Sequence, residues 1–297
     1  MPRRSQRFRA MGTACEIVIE ADDESVLQAA LAEGEAEVRR LEAKYTRYRE
    51  DSVTAAINRS AGDGLGVEVD AETAALLDYA DVAWRESGGL FDISSGVLRR
   101  AWDFRSQRLP SQRQIDALLP LVGWQRLGWT RPKLVLPKAG MQIDFGGYVK
   151  EYAADAAAAR CRAAGARHGY VDLGGDLRLI GPQADGGAWR IGIRDPNDPL
   201  RAIATVELVD GAIATSGDYE RCMTVDGRRY GHLLDPRSGW PVEGFASVSV
   251  IAPQALIAGT VTTTALLMGM AGEGWLRDLG LPHLLVSPEG RLSGNLA

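Results

Sequence analysis

The sequence predicts an α+β fold, on three observations. Segments with helical periodicity crowd the first half of the chain, and segments with strand character crowd the second half. The two kinds do not alternate as a βαβ array requires. No Pro/Ser-rich linker, low-complexity tract or internal repeat divides the chain. Residues 1–297 are therefore expected to form one compact unit with a cleft, helix-rich in its first half and strand-rich in its second.

The first strand is expected at Cys15–Glu20. A helix follows from about Glu24 to Lys44, because Leu27, Ala30, Leu31, Val38, Leu41 and Tyr45 fall on one helical face. After the polar segment Thr46–Asp51, Ser52 caps a short helix ending near Asn58. Asp70 caps another, with Leu76, Leu77, Ala80, Ala83 and Trp84 inward and Gly88–Gly89 as its stop. Ser111 and Gln114 form a capping box opening a helix to about Leu119. Leu134–Leu136 and Met141–Phe145 read as a hairpin around Pro137–Gly140. Gly146–Gly147 leads into an alanine-rich helix, Tyr148–Ala164, closed by Gly165.

Strands are expected at Gly169–Leu173, Asp176–Ile180, Trp189–Arg194, Ala204–Leu208, Gly211–Thr215, Cys222–Val225, Arg229–Leu234 and Ala246–Ile251. Asp210–Gly211 and Asp226–Gly227 are hairpin turn signals. A helix from Gln254 to Met270 follows, then a further helix and a small hairpin.

Composition narrows the function. At 45% hydrophobic and 25% charged residues the chain has enough apolar material for a core. A net charge of −5 argues against non-specific nucleic-acid binding, which needs a basic footprint. An anionic ligand would be held by local devices: backbone N–H groups, helix N-termini, a few cations or a metal. Cys15, Cys161 and Cys222 form no close pair and are odd in number, so they read as thiols in a reducing compartment. Arg3–Arg4 is not followed by an apolar export region, and no run of about 18 apolar residues occurs. A cytoplasmic location and no membrane span are expected.

Glycine clusters fall at expected strand ends: Met11–Gly12–Thr13, Asp144–Phe145–Gly146–Gly147, Asp172–Leu173–Gly174–Gly175–Asp176 and Thr215–Ser216–Gly217. Glycine lets a ligand approach the backbone, but each cluster alone reads first as a plain turn. Neither the dinucleotide-binding nor the P-loop glycine signature is present. Gly146–Gly147–Tyr148–Val149–Lys150 places N–H groups and a lysine at a helix start, an anion site or simply a surface lysine. His168 and His283 read as structural. His232 stands before the Asp235–Pro236-x-x-Gly239 turn; a histidine held on a strand end suits acid–base work, and equally a structural role. Thr260, Thr262, Thr263 and Thr264 lie in an apolar helix, where hydroxyls bond back to the preceding turn or face a metal or phosphate.

Taken in order, these clusters resemble the ApbE family of FAD:protein FMN transferases. The resemblance also draws on Tyr48-x-x-x-Ser52 with Asn58, Gly89–Leu90–Phe91–Asp92–Ile93 with Leu98 and Trp102, Lys150 with Asp155, Trp189-x-Ile191-x-Ile193-x-Asp195–Pro196, Tyr219 and His232-x-x-Asp235–Pro236-x-x-Gly239. Single motifs are unspecific; the ordered set is specific. The resemblance implies a T-fold-like core with FAD bound between two lobes. It implies Mg²⁺-dependent transfer of FMN from FAD to a Thr or Ser hydroxyl in a flavinylation motif of an acceptor protein, with release of AMP. By the same resemblance His232 and Lys150 are catalytic. Met11, Thr13, Tyr48, Gly146, Gly147, Lys150, Gly174, Gly175, Asp176, Ser216, Gly217 and His232 hold FAD, and Gly147 and Thr263 hold the metal.

Two departures bear on the metal. The family pattern places Ala-Asp at the start of the late helix, its Asp a magnesium ligand; here the pair is Ala258–Gly259. Where many members have Lys-Gly, this chain has Lys150–Glu151, whose carboxylate either replaces the lost ligand or faces solvent. Three readings follow: an active FMN transferase, an FAD-binding protein that has lost transfer, or an FAD pyrophosphatase with water as acceptor.

Overall fold

The computed structural model describes residues 1–297 except Pro199 and residues 219–221, so Tyr219 of the motif series lies outside the described residues. The architecture is α+β. Its centre is an eight-stranded sheet in which spatial order follows chain order and every neighbouring pair is antiparallel. The strands are Arg3–Ala10, Thr13–Glu20, His168–Leu173, Asp176–Gly181, Ala212–Gly217, Ser247–Ala252, His283–Val286 and Leu292–Ser293. The first two therefore sit in one sheet with the strands of the second half.

Among the described residues seven α-helices accompany the sheet: α1 (Glu24–Tyr45), α2 (Val53–Arg59), α3 (Ala71–Glu86), α4 (Gln112–Leu118), α5 (Val149–Ala163), α6 (Ala255–Leu267) and α7 (Gly272–Leu279). The expected caps are present: Ser52 accepts from the Ala55 N–H, Asp70 from the Thr73 N–H, and Ser111 with Gln114 makes a reciprocal capping box. The alternation of the second strand explains the layering. Ile17 and Ile19 point into the large core with α1, α3 and α5, whereas Val18 points to the opposite face. That face is covered by the twisted hairpin Trp189–Arg194/Ala202–Leu208 through Trp189, Ile193 and Val206. The alanine run of α5 is fully buried at Ala153, Ala154, Ala157 and Ala158, which lets α1 and α5 approach closely.

Four sequence expectations are corrected. The strand Arg3–Ala10 was not expected; its arginines suit an exposed edge, where charge blocks pairing with other chains. Leu134–Leu136 and Met141–Phe145 do not form a hairpin. Lys133–Val135 pairs instead with Gly128–Thr130 and Val67–Glu68, and the Asn58 side chain takes both polar backbone groups of Ile143. Asp210–Gly211 joins strands of two different sheets and closes no hairpin. The strand expected through Leu234 ends at Gly231, leaving His232 just beyond it. Asp226–Gly227 does close the hairpin Cys222–Val225/Arg228–Gly231, with both turn residues at positive φ.

Among the described residues no helix is long and apolar enough to cross a membrane.

Candidate functional site

The glycine clusters meet at one end of the large sheet. The turn after Ala10, the turn Leu173–Asp176 and the end of Ala212–Gly217 lie side by side there, because antiparallel register stacks Cys15 on Leu173 and Leu177 on Ile213. Gly174 has φ +72°, and an added Cβ would stand 2.9 Å from Thr13 Cγ2, so this turn needs glycine to nest against Thr13. Met11, at φ +53°, turns its N–H to Glu42 Oε1 of α1 at 2.6 Å.

Against this sheet end stand the start of α5 and the middle of α6. Lys150, in the first turn of α5, pairs through Nζ with Asp176 and lies 3.1 Å from Glu151 Oε1. Asp176 is buried, and its Oδ1 accepts the Thr215 N–H at 3.0 Å. Next along the strand, Ser216 Oγ stands 2.9 Å from Thr262 Oγ1 and 3.2 Å from Thr263 Oγ1. Thr262 also donates to the Gly259 carbonyl at 2.9 Å, the back-bonding expected of a threonine in an apolar helix. Polar contacts thus run from α5 to the strand Ala212–Gly217 at Thr215, and from the same strand to α6 at Ser216.

What places α6 there is Asp155. Its two carboxylate oxygens reach from α5 to accept the Ala255 and Leu256 N–H groups, 2.9 Å each, capping α6 from a different helix. Burial pushes the Asp155 carboxyl above its ordinary value, although the two N–H bonds and Arg178 at 3.3 Å favour the charged form.

Gly147, His232 and Thr263 line one small cavity of about 90 Å³, together with Asp144 and Leu90. A neighbouring cavity of about 520 Å³ shares Gly96 and Asp144 and contains Tyr48. Asp144 Oδ2 in this wall receives Arg47 at 2.7 Å and Arg99 at 3.2 Å. Arg47 also donates to the Tyr48 hydroxyl at 2.7 Å, and its guanidinium lies over the Tyr48 ring at 4.9 Å. Burial opposes the Arg47 charge, but Asp144 and Tyr48 outweigh it and hold the group above its ordinary value.

The structure therefore sets two contact sets on neighbouring residues of one strand, Lys150–Asp176 at Thr215 and Ser216–Thr263, and brings Gly147 and His232 to the same cavity as Thr263. Tyr48 lies across Asp144, with its side chain largely exposed. Gly217 sits buried in its strand opposite Ser247 and does not line the cavity. Two expected anion donors are already engaged: the Gly146 N–H bonds Asp144 Oδ1 at 2.8 Å, and the Gly175 N–H bonds Asp172 Oδ1 at 2.7 Å. His168 and His283 each bond a backbone carbonyl through Nδ1, of Pro182 and Leu281.

Sequence reading missed the pairing of Arg47 and Arg99 with Asp144. Asp144 had stood out only for the glycines after it, and Arg47 lies in a polar stretch with no periodicity. The cross-helix cap by Asp155 had no local signal at all, since its partners are a hundred residues away.

A family model described as the ApbE family matches residues 11–285. A Rhodobacter capsulatus protein named FAD:protein FMN transferase is 31% identical over 93% of this chain, which spans about half (53%) of that relative's length. A Treponema pallidum protein of the same name is 30% identical over 95% of this chain and 84% of its own. Among solved structures, the ApbE protein from Thermotoga maritima superposes with a TM-score of 0.88 at 32% identity, covering 99% of this chain and 97% of that one. The flavinyl transferase ApbE from Pseudomonas stutzeri, in its apo form, gives 0.86 at 29% identity, covering 99% and 94%.

Proposed function

The chain belongs to the ApbE family, and on that premise we propose that it is an FAD:protein FMN transferase, moving FMN from FAD onto a Thr or Ser hydroxyl of a partner protein and releasing AMP. The observation that carries the reading is the gathering of a lysine, a histidine and a hydroxyl-bearing helix about one sheet end: Lys150 with Asp176, Ser216 with Thr263, and His232 with Thr263 at one cavity.

The chemistry asks for positioning and charge neutralisation more than covalent catalysis. The acceptor oxygen forms a bond to the phosphorus of the FMN moiety, and the bond from that phosphorus to the bridging oxygen breaks, so AMP leaves with the electron pair. His232, half-buried at the cavity, takes the proton from the attacking hydroxyl in this reading. Lys150 supplies positive charge to the phosphates; Asp176 and Glu151 hold its ammonium in place until the anion arrives. Met11, Thr13, Gly174 and Ser216 at the sheet end, and Tyr48 across Asp144, provide the surfaces for the flavin and adenine parts.

The residues present also fit a magnesium ion. Among the described residues no cluster of three His, Cys, Asp or Glu side chains is arranged for a metal. Magnesium, however, is commonly held by one or two carboxylates together with substrate phosphates and waters. Thr263 and Gly147 share the cavity, and the buried Oε2 of Glu151 has no hydrogen-bond partner. Mg²⁺ held there would neutralise phosphate oxygens as charge builds on the leaving AMP.

The test is incubation with FAD, Mg²⁺ and an acceptor protein bearing a Thr-ended flavinylation motif. Flavin-labelled acceptor with stoichiometric AMP is expected. FMN and AMP appearing at the same rate without acceptor would identify a pyrophosphatase instead, and intact FAD after long incubation would identify a flavin-binding protein without transfer.

A further inference from the structure

We infer that Glu151 supplies the carboxylate that binds the divalent cation of this site, and that Gly259 is bare so that this carboxylate can reach across from α5 to α6. The inference rests on the magnesium reading above and deepens it.

Helices α5 and α6 pack against each other. Gly147 and Thr263 line the same cavity. Gly147 precedes α5, and Glu151 lies in the first turn of that helix; on α6, Gly259 lies one turn before Thr263. The structure sets Glu151 against Gly259. A Cβ built on Gly259 would collide with Glu151 Cγ, would stand 2.9 Å from its Cδ and would be 3.1 Å from its Oε1. The carboxylate of Glu151 thus occupies the space that a side chain at position 259 would fill, one helical turn, about 5.4 Å, from the Thr263 position.

The state of that carboxylate is unusual for a structural ion pair. Glu151 is 7% exposed, and burying a carboxylate is costly unless its oxygens find partners. Oε1 has Lys150 at 3.1 Å, whereas the buried Oε2 has no hydrogen-bond donor. If Glu151 served only to hold Lys150, Asp176 would suffice, because it pairs with the same Nζ and already bonds the Thr215 N–H. An oxygen that is buried and without a donor, beside a helix carrying Thr262 and Thr263 hydroxyls, has the donor character a hard cation takes. A β-carbon at 259 would displace it; glycine at that point in α6 loses helix propensity, by about 1 kcal/mol relative to alanine, for no backbone reason.

The test uses the full chain and Mn²⁺ as a spectroscopic probe, with binding followed by electron paramagnetic resonance with and without FAD, and folding by thermal unfolding. Glu151→Gln keeps the shape and removes the charge; its Mn²⁺ affinity is expected to fall at least tenfold with the melting temperature little changed. Gly259→Asp alone is expected to lower the melting temperature, because its Cβ meets Glu151. The exchange Glu151→Gly with Gly259→Asp returns a carboxylate to the same space from the other helix, and is expected to bring Mn²⁺ affinity back to within a few-fold of the original chain. Unchanged Mn²⁺ binding in Glu151→Gln would overturn the inference, as would a folded exchange variant that does not regain it or an original chain that binds no Mn²⁺ at millimolar concentration. These outcomes separate from the fate of the transfer reaction: a chain that binds Mn²⁺ through Glu151 yet labels no acceptor defeats the function proposed above and leaves this inference standing, whereas labelling that persists with Glu151→Gln and unaltered Mn²⁺ binding does the reverse.

Discussion

Lys150 carries two jobs at the residue scale, and they pull in opposite directions. Its ammonium neutralises Asp176 and Glu151 in the folded chain, and in the function proposed above it supplies positive charge to the phosphates. Lys150→Met is therefore expected to slow FMN transfer by about 10²–10³-fold, the range for removing a single preorganised group that stabilises developing charge. A transfer rate within threefold of the original would remove Lys150 from the mechanism. Gly174 gives a purely structural counterpart. At φ +72°, with Thr13 Cγ2 2.9 Å from an added Cβ, Gly174→Ala is expected to cost about 1–3 kcal/mol, read from the urea midpoint. An unshifted midpoint would mean that the turn relaxes freely and that Thr13 is not held by it.

The element that most needs external support is α6. Its own sequence offers no side-chain cap at Gln254, and the helix is apolar on nearly every face, so nothing local fixes where it starts. Asp155 does this from α5 by accepting the first two N–H groups. Asp155→Ala should cost about 1–2 kcal/mol by loss of the cap, and Asp155→Asn, which keeps one acceptor, should cost less. Because α6 carries Thr262 and Thr263, the Ala variant should also weaken Mn²⁺ binding; guanidinium unfolding and metal titration on the same samples check both. The charge on Asp155 has its own signature. Its folded value is raised by burial, so its ionisation opposes folding, and its contribution falls as pH rises through the carboxylate range.

At the scale of the whole molecule, the helices are tied together by one carboxylate. Glu72 of α3 receives Arg40 at 2.6 Å and Lys44 at 2.6 Å from α1, and the Tyr152 hydroxyl at 3.0 Å from α5. The Arg40 hydrogen bonds first, then those of Lys44, hold Glu72 down from its ordinary 4.5 to about 2. A folded value below the unfolded one means that this stabilisation is complete above about pH 4.5 and is lost as pH falls through about 2. Glu72→Gln should therefore destabilise the protein at pH 7 and make little difference near pH 2; equal urea midpoints at pH 7 would refute the tie. Much of this architecture was legible in the sequence. Ser52, Asp70 and Ser111 announced their helices because a cap is a local device, built from residues within one turn of each other. The glycine clusters, in order, identified the family because tight turns constrain the backbone where they stand. The arginine-rich strand Arg3–Ala10 was not legible, since an exposed edge needs no apolar alternation, and neither was the failure of Met141–Phe145 to pair, which Asn58 decides from α2. By itself, then, the sequence determined the capped helices, the Asp226–Gly227 turn, the α+β class and the family membership. Only the tertiary structure decided that Asp155 caps α6, that Asp144 gathers Arg47 and Arg99, and that Glu151 fills the space above Gly259. Periodicity states which face of an element is apolar; it does not state which residue of a distant element will meet that face, because that depends on packing register set by the whole core at once.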